Sequence, residues 1–440
     1  MAATTQERMD DLEGPIMRIG TDLATRMPRP RAVSTARVER RMQELMMSDP
    51  ALRAALFRFV DVRPACATPA DVTRHLHELL AEAEDSRLAG RAATITGRKL
   101  ASRPVAAIAA TGVKQMAQRF IVGADAKDSL PTITGLWKNG VDATVDLLGE
   151  ATVSEAEADR YMQRCEDALR TLAQAAKQYP NRDVNLSVKV SALTPLLRNP
   201  MAPERGIEGA RPRLRHLLTV ARDVGAHLHV DMESFDTREA ITRLTLDLLS
   251  QPEFANGPSA GIVLQAYLVD SPEYLDELIA WAKATPRKHP FTIRLVKGAY
   301  WDHEVVQAAQ NGWAPPVFTD RRECDRNFEK LTKVLIDNAG PIRVAIASHN
   351  LRSISAAAAY ADSRSVGNDL LEFQILRGLG DDTQAAIAAT GRRVRCYCPV
   401  GDLVAGMAYL VRRLLENTAN DSFLAAAASG TTTAQLLEAP

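Results

Sequence analysis

From about residue 135 onward, short apolar runs rich in β-branched residues alternate with longer stretches of helical periodicity. The runs are VDATVDLLG (141–149), VNLSVKVSAL (184–193), AHLHVDMES (226–234), AGIVLQAYL (260–268), FTIRLVKGAY (291–300), RVAIASHN (343–350), LEFQILRG (371–378) and VRCYCPVG (394–401). Between them lie SEAEADRYMQRCEDALRTLAQAAKQY, GARPRLRHLLTVARDVG, SPEYLDELIAWAKA and RNFEKLTKVLIDN, whose apolar positions recur at helical spacing. Such alternation implies parallel strands joined by right-handed crossovers. Eight units predict an α/β fold of the (β/α)8 barrel type. A doubly wound open sheet competes, but it usually opens on a Gly-rich phosphate turn, and the chain has neither GxGxxG nor a Walker pattern.

The first hundred or so residues follow a different pattern. TARVERRMQELM and PADVTRHLHELLAEAEDS carry helical periodicity with charged faces, punctuated by MPRPR and by Pro64 and Pro69. His75 and His77 are two residues apart, do not share a helix face, and are expected at the surface rather than as ligands. The eighth unit ends in YLVRRLLEN (409–417), the expected last barrel helix. On a helical wheel Leu410, Val411, Leu414 and Leu415 share one half, while Tyr409 and Glu416 fall in the arc between Arg412 and Arg413. A solvated amphipathic face explains that arc, although Arg before Glu is the poorer order for an i,i+4 pair. The alternative is a pair of guanidinium groups held by one carboxylate.

The chain has 440 residues, enough for one large core plus an appendage or for two or three ordinary domains. It carries 54 basic and 54 acidic residues, so no global field recruits nucleic acid and any anion site must be local. MAATTQERMDDLEGPIM has acids where a signal peptide needs bases, and no apolar run approaches a membrane span. The five cysteines are odd in number and lack zinc spacing, and Cys396-x-Cys398 fits two strand residues. These features predict a cytoplasmic chain with reduced thiols.

In a barrel, the C-terminal ends of the strands converge on one mouth. Here those ends carry Glu150, Lys189, Asp231 and Glu233, Gln265, Arg294 and Lys297, His349 and Asn350, Gln374 and Arg377, and Tyr397. Lys189 and Arg294, with Arg412 and Arg413, make a cationic mouth suited to a carboxylate or phosphate. Tyr300 and Trp301 offer flat apolar area to a ring. No Asp, Glu and His subset has convincing metal-ligand spacing; His227 and His229 share a strand face and are expected to pack beneath a helix.

RLVKGAYWD (294–302), SHN (348–350), EFQILRGLG (372–380), YCPVG (397–401) and YLVRRLLENTANDSF (409–423) closely resemble the proline dehydrogenase domain of bacterial proline-utilisation flavoenzymes. LSVKVSAL, HVDMES and VLQAY fall in that family's order and spacing. The resemblance covers roughly residues 110–425 and implies residues 1–110 as an N-terminal helical arm, 111–428 as a distorted TIM-like barrel, and 429–440 as a tail resembling a linker. No ribbon–helix–helix DNA-binding segment precedes the barrel, and the aldehyde dehydrogenase half of a bifunctional chain does not follow it. A truncated bifunctional enzyme and a single-activity relative are both compatible with this.

The resemblance implies FAD at the strand C-termini, oxidation of L-proline to Δ1-pyrroline-5-carboxylate, and electrons passed to a membrane quinone. It makes Lys189, Arg412 and Arg413 ligands of the proline carboxylate, with Glu150 and Glu416 holding the arginines. Tyr397 and Tyr409 would wall the ring with Asp231 beneath, and Arg294 would lie near flavin N5. Gln265, Val296, Lys297, Gly298, Ala299, Trp301, Thr319, His349, Asn350 and Glu416 would complete the cofactor contacts. Cys324 interrupts VFTDRRECDRNF, which in the family helps hold the dinucleotide part of FAD. Implied partners are the quinone, transient contact with the inner face of the cytoplasmic membrane, and a pyrroline-5-carboxylate dehydrogenase, separate or fused. Two rivals remain: a Schiff-base aldolase using Lys189, and a barrel that binds but no longer catalyses.

Overall fold

The computed structural model describes residues 12–28, 49–62, 65–66, 68–83, 119–149, 152–197, 203–402 and 431–440, with Ser86, Gly90 and Thr94. TARVERRMQELM, Glu150 and the whole of YLVRRLLEN, with Tyr409, Arg412, Arg413 and Glu416, lie outside the described residues.

Eight parallel strands close a barrel in sequence order: β1 (Asp142–Leu147), β2 (Asn185–Val188), β3 (His227–Val230), β4 (Ser259–Gln265), β5 (Phe291–Val296), β6 (Ile342–Ala347), β7 (Leu371–Leu376) and β8 (Val394–Val400). The seam runs from Asp142 opposite Arg395 to Leu147 opposite Val400. Each predicted apolar run overlaps one strand, with β4 and β6 starting one residue earlier, because strands buried on both faces have little polar surface to interrupt them. The run at 184–193 is only partly strand. It ends at Val188, and Val190–Ala192 forms a 3₁₀ turn. The Lys189 amide donates to the Tyr161 hydroxyl (3.2 Å) instead of to a neighbouring strand, so the ladder stops there.

Helices cover the outer face, and Val, Ile, Leu and Phe side chains from both layers form one continuous core. Helix Pro69–Ala81 starts on a Thr68–Asp71 capping box and ends at Ala81, with Glu82 as its C-cap. His75 is partly exposed and pairs with Glu78 at 3.2 Å. Helix Glu13–Arg26 packs on helices Leu351–Ser363 and Asp381–Ala389. Arg352, almost fully buried, fastens this corner by donating to both Glu13 oxygens (2.6 Å each), to Glu329 (2.8 Å) and to the Leu437 carbonyl (3.0 Å).

The barrel interior is polar. At its N-terminal end Arg395 donates to both Glu372 oxygens (2.8 and 2.9 Å), to Asp183 (3.0 Å) and to the Ala143 carbonyl (3.1 Å). Arg393 reaches Asp142 at 2.9 Å. His227 and His229 lie inside this space and not beneath a helix. They alternate with Asp231, whose bonds cross the barrel to β5 and β8, so strand geometry puts all three on the inner face. The two rings stack with centroids 5.5 Å apart, and the His229 ring covers Gly261, where a Cβ would meet Nδ1 at 2.7 Å. Burial, then the nearby Arg395, lowers the His227 pKa to about 3; burial, then Arg294, holds His229 well below its usual range. Both are neutral, which suits histidines among buried cations. Cys396 and Cys398 are buried strand residues, as their spacing suggested.

Candidate active site

Four of the predicted residues meet where the strands end. Asp231 sits one residue beyond β3. Its Oδ1 accepts from Arg294 Nη1 on β5 and its Oδ2 from the Tyr397 hydroxyl on β8, both at 2.7 Å. Arg294 also donates to Ser187 Oγ on β2 (3.1 Å) and lies over the Tyr397 ring at 5.2 Å. Lys189, one residue beyond β2, places Nζ 2.5 Å from Asp146 on β1 and 3.8 Å from Asp231.

The charges fix the protonation states. Burial opposes the Lys189 ammonium, but Asp146 and Asp231 outweigh it and raise the Lys189 pKa. Burial, with Asp146 and Asp231 adding, pushes the Tyr397 phenol well above its usual range, so it remains a donor. A lysine held as an ammonium between two carboxylates is a poor imine-forming nucleophile, which counts against the aldolase reading.

The other predicted contacts are anchored locally. Gln265 donates to the Glu233 carbonyl (2.8 Å), and Lys297 pairs with Asp325. Val296 ends β5, and Gly298 follows with φ +133°, where any Cβ would run into the Tyr267 ring. Ala299 is half-buried, Trp301 is exposed and donates to the Phe318 carbonyl (2.8 Å), and Thr319 is exposed in the bend before helix Arg321–Asp337. His349 Nε2 accepts from the Leu376 amide (2.9 Å), while the Asn350 side chain caps helix Leu351–Ser363. Gln374 faces down the barrel to Glu372 (2.6 Å). Asp146, Ser187 and Tyr161 were not among the predicted site residues. Their signal was faint: in DATVDL the polar residues alternate on one face, inside what looks like an apolar run.

Arg294 Nε, Gln265 Oε1 and Arg377 Nε are among the buried polar atoms that have no hydrogen-bond partner among the described residues. Buried groups in this state call for a polar ligand or water. A mixed set of donors and acceptors, the bare backbone at Gly298 and the aromatic surface of Trp301 fit a flat heteroaromatic ring with ring nitrogens and carbonyls, such as a flavin. Among the described residues no cluster of His, Cys, Asp or Glu could hold a metal ion.

The family model described as Proline dehydrogenase matches residues 129–426, and that of the Proline utilization A N-terminal domain matches residues 13–120. Over 323 residues the chain is 32% identical to the Bifunctional protein PutA of Escherichia coli (strain K12), covering 71% of this chain and 24% of that protein. Over 313 residues it is 30% identical to Proline dehydrogenase 2 of Bacillus subtilis (strain 168), covering 71% of this chain and 90% of the relative. The crystal structure of PutA from Bdellovibrio bacteriovorus inactivated by N-propargylglycine aligns with a TM-score of 0.86 at 35% identity, over 98% of this chain and 44% of that one. The matched region is thus about a quarter of the length of the bifunctional relative. With a family match over most of its length and the eight-stranded barrel that carries the cluster, the chain belongs to the proline dehydrogenase family.

Proposed function

We propose that this chain is an FAD-dependent dehydrogenase that oxidises L-proline to Δ1-pyrroline-5-carboxylate and passes two electrons to a membrane quinone. The observation that carries this reading is the Lys189–Asp231–Arg294–Tyr397 cluster at the barrel mouth. Lys189 is the described ligand for the substrate carboxylate, joined by Arg412 and Arg413 from YLVRRLLEN. Tyr397 walls the ring, and Asp231 fixes the orientation of both Tyr397 and Arg294. Hydride departure is assisted by the lone pair of proline's amine, so the reactive form is proline bound with that amine neutral. Gln265, Arg294, Lys297 and Trp301 are the residues that would hold the cofactor. When bound, FAD supplies the hydride acceptor.

Delivery of electrons to a quinone brings the chain transiently to a membrane surface from the cytoplasm. No helix among the described residues is long and apolar enough to cross a membrane. The product is then a substrate for a Δ1-pyrroline-5-carboxylate dehydrogenase, fused or separate.

The test is a visible spectrum before and after anaerobic addition of L-proline. Flavin absorbance that bleaches supports the reading. A colourless protein that gains no proline-oxidising activity on reconstitution with FAD overturns it.

A further inference from the structure

We infer that Asp146 is a positioning residue for substrate capture: it holds the Lys189 ammonium at the barrel mouth and keeps it off Asp231. The role of Lys189 as a carboxylate ligand rests on the proposed function; the ion pair itself does not.

Asp146 lies on the inner face of β1 with its side chain only 2% exposed. Its Oδ1 is 2.5 Å from Lys189 Nζ, whereas the nearest Asp231 oxygen is 3.8 Å away. Both Asp231 oxygens are already engaged, one by Arg294 and one by Tyr397. In this part of the mouth two cations are thus shared between two carboxylates, and each cation has its own close partner.

Removing the Asp146 charge unbalances that arrangement. A largely buried ammonium needs a compensating anion, and Asp231 is the next one within reach. The Lys189 backbone is tied to the Tyr161 hydroxyl, but its four-carbon stem can swing. On reaching Asp231 it competes with the Tyr397 hydroxyl for Oδ2. The enzyme would lose a cation aimed at the substrate and the bond that orients Tyr397. Through one ion pair, Asp146 guards both, and it also helps keep Lys189 charged against the effect of burial.

The test is competitive acylation of the purified protein with acetic anhydride across a pH series, with mass spectrometry of the Lys189 peptide. Asp146→Asn should lower the Lys189 pKa and so raise the rate of its acylation at a given alkaline pH several-fold or more, because more of the amine is then neutral. An unchanged titration overturns the inference. In the FAD-loaded enzyme, Asp146→Asn should raise KM for L-proline roughly tenfold or more and change kcat less. In a Lys189→Met background the same substitution should change KM by less than about twofold, because a residue acting through Lys189 has nothing left to position. Fully additive losses overturn the inference. Should Asp146→Asn fail to fold, the double variant decides: it folds if Asp146 acts through Lys189, and its failure beside a folded Lys189→Met sinks the idea. A wild-type protein inert toward proline would remove the proposed function and leave the acylation result standing.

Discussion

The Tyr397 hydroxyl donates to Asp231 Oδ2 at 2.7 Å, a bond that spans the barrel from the eighth strand to the end of the third. The same carboxylate holds Arg294, so one acid sets the orientation of an aromatic ring and a guanidinium together.

Tyr397→Phe keeps the ring and removes that bond. A buried carboxylate that loses a donor costs about 1–3 kcal/mol, so kcat/KM for L-proline should fall roughly ten- to hundredfold. Steady-state kinetics beside a thermal melt would check this. Unchanged kinetics would mean that the ring alone matters.

Gly298 follows β5 with φ +133° and with the Tyr267 ring against its Cα. Gly298→Ala forces an L side chain into that conformation and into the ring, at a cost of about 1–3 kcal/mol. The expected result is a lower Tm and less flavin per chain by absorbance. A variant with wild-type Tm and flavin content would show that the loop relaxes freely.

Acid should weaken the barrel from the end opposite the Lys189–Asp231 cluster. Burial raises the Glu372 pKa, but Arg395 and Arg393 outweigh it and bring it down from 4.5 to about 2. Its contribution, about 3 kcal/mol, is full above pH 4.5 and disappears as pH falls toward 2. His227 is depressed from 6.5 to about 3, so the unfolded chain takes up its proton first and stability declines as pH drops below 6.5. Urea denaturation between pH 7 and 3 should show both losses. In Glu372→Gln the loss below pH 4.5 should shrink, and an identical pH slope would refute this account.

For the proposed clamp, Arg413→Met keeps bulk and removes the planar fork. Losing a bidentate contact to the proline carboxylate should cut kcat/KM roughly ten- to several-hundredfold, with little change in the flavin spectrum. Glu416→Ala should show a smaller version of the same defect. Normal proline kinetics in Arg413→Met would leave YLVRRLLEN as a solvated helix face.

The eight units were legible because parallel strands covered on both sides leave nearly unbroken apolar runs. Lys189, Asp231, Arg294 and Tyr397 were legible because barrel strand ends converge whatever the detailed geometry. Periodicity placed His227 and His229 on one face, but it cannot say which face is the inner one when the interior is polar. Asp146 was hidden for a related reason: the alternation along DATVDL marks a polar face, but its partner Lys189 comes from the end of the next strand, so the spacing cannot say what that face meets.

The ion cluster around Arg395 also constrains how the barrel can be assembled. Arg395 sits at the seam, opposite Asp142, and takes its anions from β7 and from the residues leading into β2. If β8 slipped by one residue, the guanidinium would turn out into the apolar helix layer and Cys396 would turn in. A slip by two would keep it inside but draw it off Glu372 and Asp183, leaving a buried charge exposed to a penalty of several kcal/mol. An oily interior would tolerate such misalignments far better. The bottom of this barrel therefore proofreads its own closure, accepting one alignment of the first and last strands.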